Sequence, residues 1–558
     1  MASKKPETVP QFEAETASPT ADADGSTDRH GRTCSKRDMR ADGNMAQQVG
    51  ADFDDFMALV NEANVANERE RDMKLSTAFR TYPKAIGWSV VLSSCILMEG
   101  YGTAIIGSYL AYPVFRNRFG TLGPSGEYTI SSAWQNGISG ATNVGEIIAG
   151  LTSERWGYRW TLLAALAGIT ASIFFPFFAE SLAVFLVGEF FQGIAWGVFQ
   201  TMTIAYAVEV CPVPLRHYLT TFVSLCWITG QFMSSGVLVA FVNRTDVWGY
   251  KIPFALQWIW PIPVGVGCIL APESPWWCVR HGRRREAERS LKRLARSSGF
   301  TQRDADASLA LMIYTDEMEK QDREGTSYRD CFRGADLRRT EIVCMTWLAQ
   351  AMSGTVVGGL GAFFYQQAGI SSEDSFKLGW GQNALSFVGT LCTWFILNKI
   401  GRRTLMFSGM CVMFVLLIIT GCLGIPAKLS MAESWAAGSL IVLLSAVANF
   451  SIGPVVYTIV SEIPSTRLRA KSIILARNAY NAINIAFVNV ISYRQLNPNG
   501  WSWGPKAAFF WAAETKGRTF PELDILFKNR VPARHFASTK IETLLEGTEK
   551  SGEKQTEP

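Results

Sequence analysis

The sequence predicts an all-α membrane protein of two six-helix bundles joined by one charged loop. Three observations carry that prediction. Only 18% of the 558 residues are charged and 48% are hydrophobic, where a water-soluble domain carries roughly a quarter charged. The charges are clustered and leave long uncharged runs between them. A bilayer core about 30 Å thick takes about 20 apolar residues of helix to cross, and at least eleven runs reach or approach that length. Finally, one polar stretch divides the runs into two series: it opens Pro272-Glu273-Ser274-Pro275-Trp276-Trp277, passes Arg283-Arg284-Arg285 and closes near Arg338-Arg339 and Thr340.

In chain order, residues 1–80 are a polar N-terminal tail. Its first part is rich in Ala, Asp, Ser and Thr, has no secretory apolar core and is expected to be disordered. Phe53, Phe56, Leu59 and Val60 then recur among charges at helical spacing, which predicts a surface helix within 52–80. The first bundle, 81–271, holds crossings one to six at 85–110, 132–152, 159–179, 182–208, 217–242 and 253–271. The central loop is 272–340. The second bundle, 341–513, holds crossings seven to eleven at 341–366, 378–397, 404–424, 434–461 and 470–492. A twelfth, 503–513, is truncated: only Pro505 to Ala513 remain, with Lys506 among them, about 14 Å of helix or half a bilayer. The tail 514–558 follows. Two series of about six suggest repeated halves, the organisation of many transporters.

Sidedness comes from the basic residues. Loops after even-numbered crossings carry Arg155 and Arg159, Arg216, the Arg-rich central loop, Lys399 with Arg402 and Arg403, and Arg467 with Arg469 and Lys471. The alternate loops are poorer in Lys and Arg. That bias predicts a cytoplasmic N-terminus, central loop and C-terminal tail, and puts the Asn243-Arg244-Thr245 glycosylation sequon outside.

The same composition excludes other classes. A net charge of +5 confined to particular loops does not suggest a nucleic-acid partner. Eleven cysteines contain no C-x-x-C pair, and Cys95, Cys226, Cys268, Cys344, Cys392, Cys411 and Cys422 fall in apolar runs, as small core side chains. Four histidines stand apart from cysteines and carboxylates at metal-ligand spacing, so no metal and no other cofactor is expected. No nucleophile–base arrangement suggests an enzyme.

Several loop motifs repeat between the halves. Gly150-Leu151-Thr152-Ser153-Glu154-Arg155-Trp156-Gly157-Tyr158-Arg159 after crossing two matches Asn398-Lys399-Ile400-Gly401-Arg402-Arg403 after crossing eight. Glu209 before Pro214-Leu215-Arg216 matches Glu462 before Arg467-Leu468-Arg469. With Pro272-Glu273-Ser274-Pro275-Trp276-Trp277 and Glu514-Thr515-Lys516-Gly517-Arg518-Thr519, the chain resembles the sugar porters of the major facilitator superfamily over about 80–530. Met98-Glu99-Gly100-Tyr101 and Ala476-Arg477-Asn478-Ala479-Tyr480-Asn481 resemble fungal maltose (α-glucoside) permeases in particular. The resemblance implies the major facilitator fold and movement of a neutral sugar, a disaccharide, with a proton, by a monomer in the plasma membrane.

The paired motifs offer a cytoplasmic gate: Glu154, Arg155, Arg159, Glu209, Arg216, Arg402, Arg403, Glu462, Arg467 and Arg469 are placed to pair across the two bundles, since guanidinium and carboxylate meet in planar bidentate contacts. Inside the crossings, Glu99, Glu146, Glu189 and Arg477 are the candidates for proton coupling, because a charge in mid-membrane is costly and by default functional. Counting about 1.5 Å per residue puts Glu146 and Arg477 each roughly 10 Å in from the cytoplasmic end. The resemblance makes their helices neighbours, so the two are expected to pair across the seam. The same count carries Glu99 past mid-membrane, level with Glu189. Gly102 stands where many proton-coupled members have Asp.

Sugars are held by amides, hydroxyls and aromatic faces. The resemblance points to Gln231 and Gln350 as sugar ligands, with Gln382, Asn383, Asn449 and Tyr457 as further candidates. Gly453-Pro454 is expected to interrupt crossing ten. The leading reading is proton-coupled import of an α-glucoside such as maltose. An uncoupled facilitator, a non-transporting sugar sensor and a truncated remnant are the alternatives.

Overall fold

The computed structural model describes residues 73–122, 128–152, 157–296, 300–321, 327–367, 369–397, 400–425, 430–464, 468–496 and 506–508. The apolar runs become helices, and polar side chains set several of their starts. Ser181 begins crossing four, Leu182–Val210, by accepting the Val184 N–H at 3.4 Å. Ser430 and Glu433 form a reciprocal capping box at the head of crossing ten, Met431–Glu462, which satisfies N–H groups that a helix leaves free at its N-terminus.

Seven described helices are long and apolar enough to cross a membrane: Pro83–Tyr109, Tyr158–Phe178, Leu182–Val210, Pro214–Phe241, Trp248–Leu270, Arg402–Leu423 and Met431–Glu462. These are crossings one, three, four, five, six, nine and ten. Crossing two (Ser132–Thr152) and crossing eight (Ser372–Ile396) are not among them, and crossings seven and eleven are broken into shorter helices.

Three crossings depart from the expected continuous or interrupted form. Crossing seven is broken: Gly334–Met352 ends at Gly354, whose φ of 81° favours glycine, then short helices Thr355–Gly359 and Gly361–Gln367 follow. Crossing eleven runs Arg469–Ile483, widens to a π turn at Asn484–Val488 and resumes at Asn489–Leu496. Such turns are frequent at functional sites. Crossing ten, by contrast, is not interrupted at Gly453-Pro454. Proline has no N–H for the Phe450 carbonyl, but Thr393 Oγ1 on crossing eight donates to that carbonyl at 2.6 Å, and Thr390 Oγ1 reaches the Asn449 carbonyl at 3.2 Å. The lost bond is replaced from a neighbouring helix. Thr393→Val is expected to lower the unfolding free energy of the detergent-solubilised protein by about 1–2 kcal/mol. An unchanged thermal midpoint would show that the Phe450 carbonyl does not need this donor.

Within the first half, crossing two packs on crossing four and crossing one on crossing five; within the second, crossing eight packs on ten and seven on eleven. Crossing five against eight and ten, and crossing two against eleven, join the halves. The tightest approaches use glycine. A Cβ on Gly193 would lie 2.2 Å from the Thr142 carbonyl, and one on Gly100 would lie 2.0 Å from that of Trp227.

The central loop is a folded layer in its described parts. Helices Pro275–Arg280, Arg284–Leu294 and Gln302–Gln321 enclose Cys278, Val279, Ala287, Leu291, Met312 and Ile313 as a separate apolar cluster. Of the cysteines expected to be core, Cys95, Cys226 and Cys268 are buried, whereas Cys392, Cys411 and Cys422 lie on the outside of the bundle. The sequon loop is described and exposed, with Arg244 and Asp246 paired at 2.9 Å. Of crossing twelve only 506–508 are described; the rest of it, the N-terminal tail to residue 72 and the C-terminal tail lie outside the described residues.

Candidate functional site

A cavity of about 330 Å³ lies between the two halves, within the range of small-molecule sites. Crossings one, two, five, seven, eight, ten and eleven supply its walls. Crossings two, seven, eight and eleven, which are outside that apolar set, all line it. Polar side chains of these crossings, among them Ser139, Gln350, Asn383 and Asn484, line the cavity.

Five of the six candidate sugar ligands line the cavity: Gln231, Gln350, Gln382, Asn383 and Asn449. They are not equivalent. Gln382 is committed to the fold: Tyr365 Oη donates to its Oε1, and its Nε2 donates to the Gly358 carbonyl at 2.8 Å, which secures the break in crossing seven. Asn383 Nδ2 donates to Ser235 Oγ at 3.2 Å, across the halves. Asn449 Nδ2 donates to the Ser445 carbonyl at 2.9 Å. Gln350 Oε1 has no partner among the described residues. Tyr457 is corrected: it does not line the cavity. It is buried, and its ring meets Trp347 edge-on with centroids 5.3 Å apart. The helix is continuous through Pro454, and Trp347 of the same half receives the Tyr457 ring.

The charged candidates assemble into one cluster, with one exception. Arg477 Nη2 lies 3.3 Å from Glu146 Oε2 and 4.0 Å from Glu99 Oε1. Its guanidinium stands over the rings of Tyr480 and Trp347, at 4.4 and 5.0 Å from their centroids. Tyr457, behind Trp347, supports that aromatic platform. Glu99 is thus not beyond mid-membrane from Arg477 but beside it. The first turns of crossing one, in Pro83–Ser93, pack on the loop helix Arg284–Leu294, and just before them the Thr81 carbonyl accepts the Arg296 N–H at 2.9 Å. Counting from there overstates depth.

Glu189 is the exception. It is fully buried, lines no part of the cavity, and neither carboxyl oxygen has a partner among the described residues. Crossing four meets Glu99 through Gln200 instead. That residue is eleven positions further along the chain, about 16 Å of helix, so the expected levelling of Glu189 with Glu99 does not hold.

At the face bearing the central loop, two of the candidate gate carboxylates have ion-pair partners among the described residues. Arg280 and Ser274 both donate to Glu209, tying crossing four to the central loop. Arg402 pairs with Glu462 at 2.9 Å, tying crossing nine to ten. Glu209 is thus held from the central loop and Glu462 from within the second half. Glu273 accepts N–H groups of Tyr158, Arg159 and Ser274 at 2.9, 3.3 and 3.2 Å. Burial pushes its carboxyl above the ordinary range, and those donors partly offset the shift. Arg159 also places its guanidinium near the Trp160 ring, Arg216 donates to the Cys211 carbonyl, and Arg403 is exposed. Arg469, of the second half, lies within electrostatic reach of Arg216 and Glu209. Glu154, Arg155 and Arg467 lie outside the described residues.

At the opposite face the halves touch. Gln366 Nε2 donates to the Ala111 carbonyl at 3.1 Å, Arg116 reaches Gln366 at 3.4 Å, and Tyr112 meets Phe376 at 5.3 Å between centroids. Other cavity-lining groups were not singled out from the sequence: Ser139 and Asn143 on crossing two, and Asn484, Asn489 and Tyr493 on crossing eleven. Their signal is legible afterwards. Ser139 and Asn143 repeat at the helical interval with Glu146, as Tyr480 and Asn484 do after Arg477.

The family model described as "Sugar (and other) transporter" matches residues 88–527. The chain is similar to the general alpha-glucoside permease of Saccharomyces cerevisiae, 39% identical over 530 residues, covering 90% of this chain and 85% of the relative. It is 40% identical to the S. cerevisiae maltose permease MAL61 over 508 residues, 87% of this chain and 82% of that one. Among solved structures, the proton:xylose symporter XylE bound to 6-bromo-6-deoxy-D-glucose superposes with a TM-score of 0.65 at 18% identity, covering 81% of this chain and 96% of XylE. A partially occluded inward-open form of XylE from E. coli gives 0.60, again at 18% identity, over 82% and 100% of the two chains. These superpositions establish the major facilitator fold.

Proposed function

The chain belongs to the sugar (and other) transporter family and is a multi-pass membrane transporter rather than an enzyme, and from that premise we propose that it imports an α-glucoside such as maltose together with a proton by alternating access. Relatives named for α-glucosides and maltose support the substrate class. The observation that carries the coupling is the placement of Arg477. It belongs to the second half, and it faces Glu99 and Glu146 of the first half at the cavity wall. Unlike charges so close in a low-dielectric site attract strongly. A proton on either carboxylate weakens that attraction between the halves, so proton loading and rocking of the halves are linked. The sugar adds the second condition. Gln231 and Asn383, from opposite halves, with Gln350 and Asn449, line the cavity with the amides that a neutral sugar needs. The protein acts as a monomer in the plasma membrane, surrounded by lipid, with its N-terminus, central loop and C-terminal tail cytoplasmic.

Gly102 favours a second reading. It leaves crossing one with Glu99 but without the Asp seen in many coupled members, which would suit an uncoupled facilitator. Labelled maltose uptake in cells lacking their own permeases, with and without a protonophore, separates the two. Under the proposal the protonophore removes accumulation, and Glu99→Gln does the same while sugar exchange persists. Accumulation in Glu99→Gln at the wild-type level would exclude Glu99 as the coupling group. Uptake indifferent to the protonophore would establish the facilitator. No uptake of any sugar, with the protein at the cell surface, would leave the sensor or the remnant.

A further inference from the structure

We propose that Gln200 is a positioning residue for Glu99, the partner that stays with this carboxylate when the two halves move; this rests on the proton-coupled reading above. Gln200 Nε2 donates to Glu99 Oε1. The amide is buried, 4% exposed, and does not line the cavity, so it acts on the sugar only through Glu99. Glu99 Oε1 therefore has two polar neighbours, Gln200 and Arg477, while its Oε2 has no partner among the described residues.

The two neighbours differ in which half carries them. Arg477 is in the second half and lies closer to Glu146 than to Glu99. Gln200 is in the first half with Glu99. Any movement that parts the halves takes Arg477 away and leaves Gln200 in place. The contact between crossings one and four is also fixed sterically. One turn before Gln200, the fully buried Trp196 ring occupies the space beside Gly102: a Cβ there would lie 2.3 Å from the ring. Gly102 thus lets crossing four approach closely enough for Gln200 to reach Glu99. The charged and titratable groups that face Glu99 are Glu146 from crossing two, Arg477 from crossing eleven and Tyr457 from crossing ten; crossing five presents the Trp227 backbone against Gly100. Among these, Gln200 is the neutral donor.

The test is the pH profile of initial maltose uptake in Gln200→Met, which keeps chain length and removes the N–H. A hydrogen bond to the ionised form holds a carboxyl ionised. Its loss is expected to move the alkaline limb of the profile up by about one pH unit, with the sugar KM within about twofold of wild type and maltose counterflow retained. Gln200→Glu places a second carboxylate there and is expected to move the limb in the same direction. A pH-dependent wild type with an unmoved limb in both variants overturns this inference and leaves the coupled reading intact. A flat wild-type profile overturns both. Loss of surface protein in both variants assigns Gln200 to folding and overturns the proposal.

Discussion

Arg477→Ala is expected to reduce maltose accumulation at least about 100-fold while the sugar site itself keeps its lining amides. Removing one partner of a buried ion pair costs about 3–5 kcal/mol, because the other partner is left uncompensated. Here one guanidinium serves two carboxylates, at 3.3 and 4.0 Å, so its loss sets Glu146 and Glu99 against each other without a cation. Arg477→Lys keeps the charge but not the planar group that lies over Tyr480 and Trp347, and is expected to recover only part of the activity. The double variant Glu146→Gln/Arg477→Gln removes charge from both halves and is expected to restore surface protein and counterflow without restoring accumulation. Uptake corrected for surface protein decides the matter: accumulation by Arg477→Ala at the wild-type gradient would remove this residue from the coupling machinery.

The second large effect concerns Gly102. Putting back an Asp, as the resemblance invites, is expected to disable the protein rather than to strengthen coupling. The new Cβ would lie 2.3 Å from Trp196 Cζ2, and that ring is fully buried with no room to retreat. Overpacking of this kind costs about 1–3 kcal/mol, at times more, and the added carboxyl would be buried against an indole. Gly102→Asp is expected to lower surface protein about tenfold, and Trp196→Leu in the same chain to recover most of it. Wild-type surface levels for Gly102→Asp alone would show that crossing four can yield. The substitution at 102 and the ring at 196 thus act as one feature, and neither can be judged by itself.

How much of this was legible in the sequence follows from which interactions are local. The helical runs, the charged loop between two series and the repeated loop motifs are written in spacing and composition, and they sufficed for the fold class and for the family. Five of six candidate sugar ligands came to line one cavity because polar groups on apolar helices have few other places to go. Counting residues put Arg477 and Glu146 at one depth, and the family resemblance made their helices neighbours. The same count failed for Glu99, since a helix that extends beyond the membrane into a packed loop layer has no marker in sequence for where the membrane begins.

The sequence alone determined what each helix contains: which runs are apolar, where charges fall inside them, and that position 102 is glycine. Only the tertiary structure decided what those groups meet. Pro454 does not break its helix because Thr393 comes from another crossing, Tyr457 supports Arg477 rather than facing the cavity, and Gln200, not Glu189, is the residue of crossing four that meets Glu99. The physical reason is common to all three. Hydropathy and helical period depend on neighbours in the chain, whereas a hydrogen bond, a ring contact or an ion pair between crossings depends on the depth and rotation of two helices far apart in sequence, which packing alone sets.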